Sequence, residues 1–166
     1  MNLPHGWSNT LLGEVAMFVG GAQPPKSEFI NEEKEGYIRL IQIRDYKTEA
    51  FKTYIPLDKA RRFCSKSDVM IGRYGPPVFQ ILRGLEGSYN VALMKAEPAK
   101  GVDNDFLFYL LKQKELFRLI DGLSQRTAGQ SGIDVNALKN YPVLLPPLNE
   151  QKRIAAILDK ADSLRR

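Results

Sequence analysis

The residues best suited to covalent or metal chemistry are few and isolated in this sequence. Cys64 is the only cysteine and His5 the only histidine among 166 residues. A cysteine nucleophile needs a neighbouring base, and a zinc site needs several His or Cys ligands. Because no histidine follows Cys64, we expect a small core or surface residue there, with no metal site and no internal disulfide.

Carboxylates and glycine-rich turns are the next candidates. Asp45, Asp68 and Asp103 stand far apart in the sequence, and each is better explained as a turn or helix-capping residue. The segment from Gly72 to Gly75 lacks the Gly-Lys-Ser/Thr ending of a phosphate-binding loop, and no GxGxxG motif follows a predicted strand. The cofactor motif and NPPY-type tetrapeptide of adenine methyltransferases are also missing. We therefore predict a chain without catalytic residues or cofactors of its own.

The charge of the chain is compatible with a polyanionic partner. Lysines and arginines number 24 against 19 aspartates and glutamates, which gives a net charge of +5 and a pI near 9.3. Lys59, Arg61, Arg62 and Lys66 form a basic run with no acid between them. Such a run can neutralise phosphates, but it is also typical of a solvated protein surface. Charge alone leaves both interpretations open.

The elements that must position these residues are predicted from hydrophobic patterning. We expect an α+β fold with a mostly antiparallel twisted β-sheet core, a packed helix, and a C-terminal helix that begins a coiled coil. Strand-like segments separated by Gly and Pro turns lie at residues 7–21, 37–46, 68–71, 78–82 and 89–94. Gly84 and Gly87 predict a hairpin turn between the last two segments.

The second half of the sequence becomes helical. A helix is predicted over about residues 105–121, with Asp103 or Asn104 as its cap and Gly122 as its end. The polar residues that follow, 123–132, predict a loop. A short helical turn at 134–140 and an extended segment at 141–145 are predicted next.

The last helix is predicted to begin after a cap at Asn149. Its apolar positions follow at spacings of three, four and three residues, as in a coiled-coil seam: Ile154, Ile157, Ala161 and Leu164. Packing onto the domain's own core would use the same positions, and the pattern leaves the two interpretations even. The helical pattern still continues at Arg166, which we expect of a piece of a longer protein.

The C-terminal sequence carries a specific resemblance. Residues 141–154 read YPVLLPPLNEQKRI, which resembles the segment that closes target recognition domains in type I restriction–modification specificity subunits. In that family an apolar strand is followed by a Pro-x-Leu-x-Glu-Gln turn and a long helix. The matching residues are Pro142, Leu145, Pro146, Pro147, Leu148, Glu150, Gln151, Ile154 and Leu158.

Weaker matches occur upstream, in the order expected for the family. Ser67 stands where the family's second strand motif has a glycine. The matching segments are Trp7 with residues 12–15 and Gly20-Gly21, residues 41–45, residues 68–71 with Gly75, and Gln125-Arg126 with Gly129, Gln130, Ile133 and Leu138. The resemblance therefore covers nearly the whole chain.

The resemblance implies a division of labour. Specificity subunits of this family carry two target recognition domains, each reading half of a split DNA target, separated by helices that act as a ruler. It implies that residues 1–148 form a non-catalytic domain that binds double-stranded DNA, and that residues 149–166 begin a coiled-coil spacer and dimerisation helix. The implied partners are a methyltransferase subunit, a restriction subunit bound through it, and a second copy joined through the helix. Separately, the start of the sequence, Met1 to Trp7, lacks the basic region and apolar run of a signal peptide, and no window approaches 18 consecutive apolar residues, so we expect a cytoplasmic protein without a membrane span.

The resemblance also places the β-rich face and its loops in the major groove of DNA. There Arg and Lys pair with guanine, and Asn and Gln pair with adenine. The base-reading candidates are polar or aromatic residues of loops: Gln23, Lys26, Arg73, Tyr74, Arg83, Gln125, Arg126 and Gln130. The phosphate-contacting candidates, which would fix register without reading sequence, are Lys47, Arg61, Arg62 and Lys139. The partner-binding candidates are the four seam residues Ile154, Ile157, Ala161 and Leu164.

Three other functions remain open at this point. The chain could be a protein-interaction module that docks through its C-terminal helix, which salt-sensitive binding to duplex DNA would argue against. It could be a nuclease that uses Asp68 and Asp103 with Mg²⁺, which a cleavage assay would reveal. It could also be a recognition domain excised from a single-chain restriction–methylation enzyme.

Overall fold

The computed structural model describes residues 2–126 and 132–165. Within these ranges the strands are β1 Ser8–Leu11, β2 Ala16–Gly20, β3 Tyr37–Ile41, β4 Thr53–Pro56, β5 Phe63–Cys64, β6 Val69–Gly72, β7 Gln80–Leu82, β8 Gly87–Tyr89, β9 Leu93–Pro98 and β10 Pro142–Leu145. The α-helices are α1 Leu12–Val15, α2 Asn104–Leu111, α3 Lys114–Arg126, α4 Val135–Lys139 and α5 Leu148–Leu164. Short 3₁₀ turns lie at Lys26–Glu28, Ile43–Tyr46 and Leu57–Lys59.

The chain forms two compact units. The helical unit comprises Met1–Met17 and Glu97–Arg166, and the sheet unit comprises Phe18–Ala96. Two four-stranded sheets are present, with strand orders β2-β9-β6-β7 and β4-β3-β8-β5, and β1 and β10 form a two-stranded ribbon. The predicted α+β class with mostly antiparallel sheets is confirmed, because β3 with β8 is the one parallel pair among the registered pairs of the described residues.

Strand β3 supplies buried residues to both faces of its sheet. Leu40 packs with Ile55, whereas the next residue, Ile41, packs with Met70 and Tyr89. Successive strand residues point to opposite faces, and both Leu40 and Ile41 are completely buried. The consecutive apolar residues at the end of β3 therefore reflect a strand that is covered on both sides.

The predicted strand at 37–46 is longer than the observed one. β3 ends at Ile41, and Ile43–Tyr46 forms a 3₁₀ turn. The Asp45 carboxylate accepts a hydrogen bond from the backbone N–H of Gln42 at 2.7 Å. Such side-chain caps compete with strand pairing, so the strand ends here although the apolar pattern of the sequence continues to Tyr46.

The predicted hairpin through Gly84 and Gly87 is wrong. β7 pairs with β6 in one sheet, whereas β8 pairs with β3 and β5 in the other. A Cβ on Gly87 would lie 2.6 Å from the carbonyl oxygen of Arg39, so glycine lets β8 approach β3 closely. This pairing joins distant parts of the sequence, and the local pattern could not reveal it.

The predicted single helix at 105–121 is two helices. Asp103 caps α2 as expected, since its Oδ2 accepts a hydrogen bond from the Phe106 N–H at 3.0 Å. α3 continues through Gly122 to Arg126, so the predicted helix end is also wrong. A buried face of Leu116, Ile120 and Ser124 stabilises α3, and this packing outweighs the roughly 1 kcal/mol cost of a helical glycine.

The start of α5 differs by one residue from the prediction. Pro147 occupies the N-cap position and Leu148 begins the helix, whereas Asn149 lies inside the first turn. Proline suits a helix start because it has no N–H to leave unpaired. The predicted helical turn at 134–140 and extended segment at 141–145 are confirmed as α4 and β10, and Asp134 caps α4 through the Ala137 N–H at 3.0 Å. The predicted loop at 123–132 is wrong for residues 123–126, which belong to α3. None of the helices in the described ranges is long and apolar enough to cross a membrane.

Candidate nucleic-acid interface

The loop at residues 90–92, between β8 and β9, brings two predicted base-reading residues together. We call it the Val91 loop. Gln23 Oε1 accepts a hydrogen bond from the Val91 N–H at 3.4 Å. Arg73 Nη1 donates a hydrogen bond to the Val91 carbonyl at 3.2 Å. Two side chains from distant parts of the sequence therefore hold the same loop residue.

The glycine pair before Gln23 allows this approach. The Gly21 N–H donates to the Leu93 carbonyl at 2.9 Å, and the Ala22 N–H donates to the Tyr89 carbonyl at 3.2 Å. A Cβ on Gly21 would lie only 1.8 Å from the Asn90 carbonyl oxygen. Only glycine fits at this backbone-to-backbone contact, which explains the second glycine of the Gly20-Gly21 pair.

Arg62, a predicted phosphate contact, belongs to the same surface. Its Nε donates to the Gly20 carbonyl at 3.2 Å, and a Cβ on Gly20 would lie 3.8 Å from Arg73 Nη1. Arg62 and Arg73 therefore both lie beside Gly20. Two neighbouring guanidinium groups are suited to a phosphate, because their planar forks match its oxygens.

Tyr74 extends this surface. Its ring lies 5.5 Å from the guanidinium carbon of Arg73, within the range of a cation–π interaction. The tyrosine is 40% exposed, so its ring can still stack or contact an apolar group. We call Gln23, Arg62, Arg73 and Tyr74 the Arg73 cluster.

Lys47 and Arg83 meet at a different place in the sheet unit. They line a pocket of about 210 Å³ together with Asp45, Tyr46, Thr48, Glu49, Gly84 and Leu85. A hydrogen bond from Arg39 lowers the pKa of Glu49, and burial raises the pKa of Tyr46. The pocket therefore combines cations with an ionised carboxylate and a neutral phenol, unlike the Arg73 cluster.

Lys26 and Arg61 take no part in the contacts that form the Arg73 cluster. Lys26 is exposed at the start of its 3₁₀ turn. The exposed Arg61 donates to the Asp58 carbonyl at 2.8 Å and to the Ala60 carbonyl at 3.0 Å. Lys26 stays a base-reading prediction and Arg61 a phosphate-contact prediction.

The remaining candidates belong to the helical unit. Gln125 and Arg126 are exposed in the last turn of α3, not in the predicted loop. Gln125 Nε2 donates to Asp121 Oδ2 at 3.0 Å. Lys139 is exposed at the end of α4, and Gln130 lies outside the described residues.

The terminal helix exposes part of its predicted seam. Ile157 is 53% and Leu164 78% exposed, while Ile154 and Ala161 are half-buried. Tyr109 of α2 donates a hydrogen bond to Asp159 of α5 at 2.5 Å. At 100° per residue, Ile157 and Leu164 lie away from the face that packs on α2, so these two apolar side chains form an exposed stripe on α5.

The residues considered for catalysis have structural roles. Asp68 Oδ2 accepts a hydrogen bond from the Ser65 N–H at 2.7 Å, and Asp103 caps α2. Cys64 is 8% exposed, and burial raises the pKa of its thiol to about 11, so it stays protonated at neutral pH. Within the described ranges, no group of three His, Cys, Asp or Glu side chains is placed to hold a metal ion.

Sequence reasoning missed the Val91 loop itself. Val91 fell inside the predicted strand at 89–94, yet its side chain is 45% exposed. Asn90 Oδ1 accepts a hydrogen bond from the Ala92 N–H at 3.2 Å, which is an Asx turn of the kind that interrupts strands. An asparagine in the middle of an apolar run was the signal that could have found the loop.

Comparison with known proteins gives a consistent result. A family model for the type I restriction modification DNA specificity domain matches residues 4–165. The type I restriction enzyme MjaVIII specificity subunit of Methanocaldococcus jannaschii is 26% identical, over 99% of this chain and 38% of that protein. The putative MjaX specificity subunit of the same organism is 33% identical, over 82% of this chain and 32% of that protein.

Solved structures share the fold. The HsdS subunit from Thermoanaerobacter tengcongensis matches with a TM-score of 0.74 and 23% identity, over 99% of this chain and 39% of that chain. A chain from a structure of type I R-M complex assembly and conformational transition matches with a TM-score of 0.77 and 24% identity, over 99% and 40%. The chain thus spans about two fifths of the length of these proteins.

Proposed function

The chain belongs to the family of type I restriction–modification DNA specificity domains, and from this premise we propose that it reads one half of a bipartite DNA target. In this proposal residues 1–148 form the target recognition domain. The domain itself is non-catalytic, and a partner methyltransferase subunit modifies the DNA that it selects. A restriction subunit would join through that partner, and the site of action would be the cytoplasm.

The observation that carries the proposal is the Arg73 cluster. Arg62 and Arg73 lie beside Gly20 at the surface of the sheet unit, where they can neutralise backbone phosphates. Next to them an exposed loop and the half-exposed Tyr74 can reach base edges. This arrangement supports the proposal, because groups suited to phosphates lie beside groups suited to base edges.

The terminal helix supports a further part of the proposal, which concerns residues 149–166. Its exposed residues Ile157 and Leu164 follow a coiled-coil spacing. We propose that residues 149–166 begin a spacer helix, with a partner helix covering this stripe. The partner helix would come from the methyltransferase subunit, from a second recognition domain or from a second copy of the chain.

Salt-dependent binding tests DNA recognition directly. We expect the logarithm of the affinity for duplex DNA to fall linearly with the logarithm of the salt concentration, measured by fluorescence anisotropy. Arg62→Ala should reduce this slope by about one. Lys114→Ala, which removes an exposed lysine at the start of α3, is the matched control and should leave the slope unchanged.

Co-expression with a type I methyltransferase subunit tests the division of labour. A new methylated-adenine motif in the DNA of the host cells would support the proposal and identify the target bases. The exposed α5 stripe also favours a second candidate, a protein-interaction module without DNA readout. Binding to a methyltransferase subunit with no salt-sensitive DNA binding would favour that candidate instead.

A further inference from the structure

The backbone of the Val91 loop is fully hydrogen-bonded. The N–H groups of Asn90, Val91 and Ala92 donate to the Ile41 carbonyl at 3.1 Å, to Gln23 Oε1 at 3.4 Å and to Asn90 Oδ1 at 3.2 Å. The carbonyls of the same three residues accept from the Leu93 N–H at 3.1 Å, from Arg73 Nη1 at 3.2 Å and from the Arg73 N–H at 2.8 Å. Each backbone donor and acceptor of the loop thus has a partner inside the sheet unit.

Val91 is the exposed residue of this loop, and its side chain is apolar. Val91 is 45% exposed, and its two methyl groups are what its side chain offers to a ligand. The hydrogen bonds from Gln23 and Arg73 hold the backbone that carries this side chain, so little backbone entropy remains to be lost when the side chain makes a contact. Arg73 donates a hydrogen bond to the carbonyl of this same residue, so the exposed methyl groups lie on a loop that also contacts a guanidinium suited to phosphate.

The chemistry of DNA limits what such a group can recognise. Bases in the major groove present hydrogen-bond donors and acceptors, and thymine adds a C5-methyl group. A valine held against the groove by arginines on the phosphates can contact that methyl group but cannot satisfy a polar base edge. A polar base edge that faced Val91 would lose its hydrogen bonds to water and gain none from the protein, which costs free energy.

We propose that Val91 reads the C5-methyl group of a thymine in the half-site. This inference rests on the proposed function, because it requires DNA in the major groove beside the Arg73 cluster. Gln23 and Arg73 then act as positioning residues, since their side chains hold the Val91 backbone. Val91 itself determines specificity at one base pair.

The test compares thymine with deoxyuridine, which lacks only the methyl group. The 166-residue chain first selects a motif from a duplex library with a randomised segment. Each thymine of that motif is then replaced in turn by deoxyuridine, and affinities are measured for wild type, Val91→Ala and Leu57→Ala. Leu57 is 53% exposed in the same unit and serves as the control for loss of an exposed apolar side chain.

We expect one replacement to weaken wild-type binding by about three- to fivefold, the effect of one buried methyl group. The same replacement should leave the affinity of Val91→Ala unchanged and should weaken Leu57→Ala as much as wild type. The inference is overturned if the motif contains no thymine, or if Val91→Ala keeps the wild-type response at every position. Absence of salt-sensitive DNA binding by wild type would instead reject the proposed function, and the inference with it.

Discussion

Gln151 Oε1 accepts a hydrogen bond from the backbone N–H of Asp103 at 2.8 Å, which ties the terminal helix α5 to the start of α2. The side-chain amide also donates to the carbonyls of Gly101 at 3.1 Å and Pro146 at 2.9 Å. The residue is 1% exposed; its bond to Pro146 is buried, and its bonds to Asp103 and Gly101 are partly buried. The glutamine of the family's Glu-Gln motif is thus the residue that orients the terminal helix.

Loss of the three Gln151 hydrogen bonds should destabilise the protein. Gln151→Ala leaves two carbonyls and one N–H without their partner, and we expect a loss of roughly 2–4 kcal/mol in the free energy of unfolding. Urea denaturation followed by circular dichroism measures the change. Gln125→Ala, which removes one exposed hydrogen bond to Asp121, is the control and should change stability by less than about 0.5 kcal/mol. Equal effects of the two substitutions would contradict the assignment.

Alanine substitutions at Gly21 and Gly122 should have opposite effects on the stability of the protein. In Gly21→Ala the new Cβ would clash with the Asn90 carbonyl, so we expect clear destabilisation and weaker DNA binding. In Gly122→Ala the new Cβ meets nothing within 4 Å and lies inside α3, so we expect a gain of up to about 1 kcal/mol. Thermal unfolding of both variants checks the two signs. A tolerated Gly21→Ala would mean that the Val91 loop is not held against this segment.

The exposed face of α5 should matter for partner binding and not for folding. Ile157→Ser and Leu164→Ser remove apolar side chains that are more than half exposed, so we expect stability to change by less than about 0.5 kcal/mol. Co-purification with a methyltransferase subunit should be lost or much weakened. Ala156→Ser, on an exposed position of the same helix, is the control. If the variant that carries both substitutions still co-purifies with the methyltransferase subunit, that subunit binds a different surface.

Arg126 offers a test of base reading outside the sheet unit. If the exposed end of α3 contacts a base, Arg126→Ala should weaken binding to the cognate half-site by roughly 1–3 kcal/mol and relax specificity at one position. Competition between cognate and altered duplexes measures both effects. An unchanged affinity for the cognate half-site would remove Arg126 from the base-reading residues.

The buried thiol predicts a pH dependence. Burial raises the pKa of Cys64 from its ordinary value of 9.0 to about 11, so the folded protein holds this proton more tightly than the unfolded chain does. The associated stability is present below about pH 9 and is lost as the pH rises toward 11. Between these values the unfolding free energy of wild type should fall relative to that of Cys64→Ala. Urea titrations at several pH values provide the measurement, and parallel curves would be inconsistent with a buried, protonated thiol.

Local features of the sequence were sufficient for much of the secondary structure. Asp103 caps α2 as predicted, because a cap depends on residues only three positions apart, and the predicted helical turn at 134–140 is present as α4. The prediction failed at Gly122 and in the supposed hairpin at Gly84 and Gly87. In both places tertiary contacts outweighed local preference: packing of the buried face of α3 in the first, and pairing of β8 with β3 in the second.

The sequence by itself determined the class of fold, the family resemblance and the chemical types available at the surface. It does so because hydrophobic periodicity, helix capping and the Pro-Pro-Leu-Asn-Glu-Gln segment each depend on residues that are close together in the sequence. Only the tertiary structure decided that Gln23 and Arg73 meet at Val91, and that α5 keeps Ile157 and Leu164 exposed. Those relationships depend on contacts between distant segments, whose geometry is fixed by close packing of the whole unit and leaves no periodic signal along the chain.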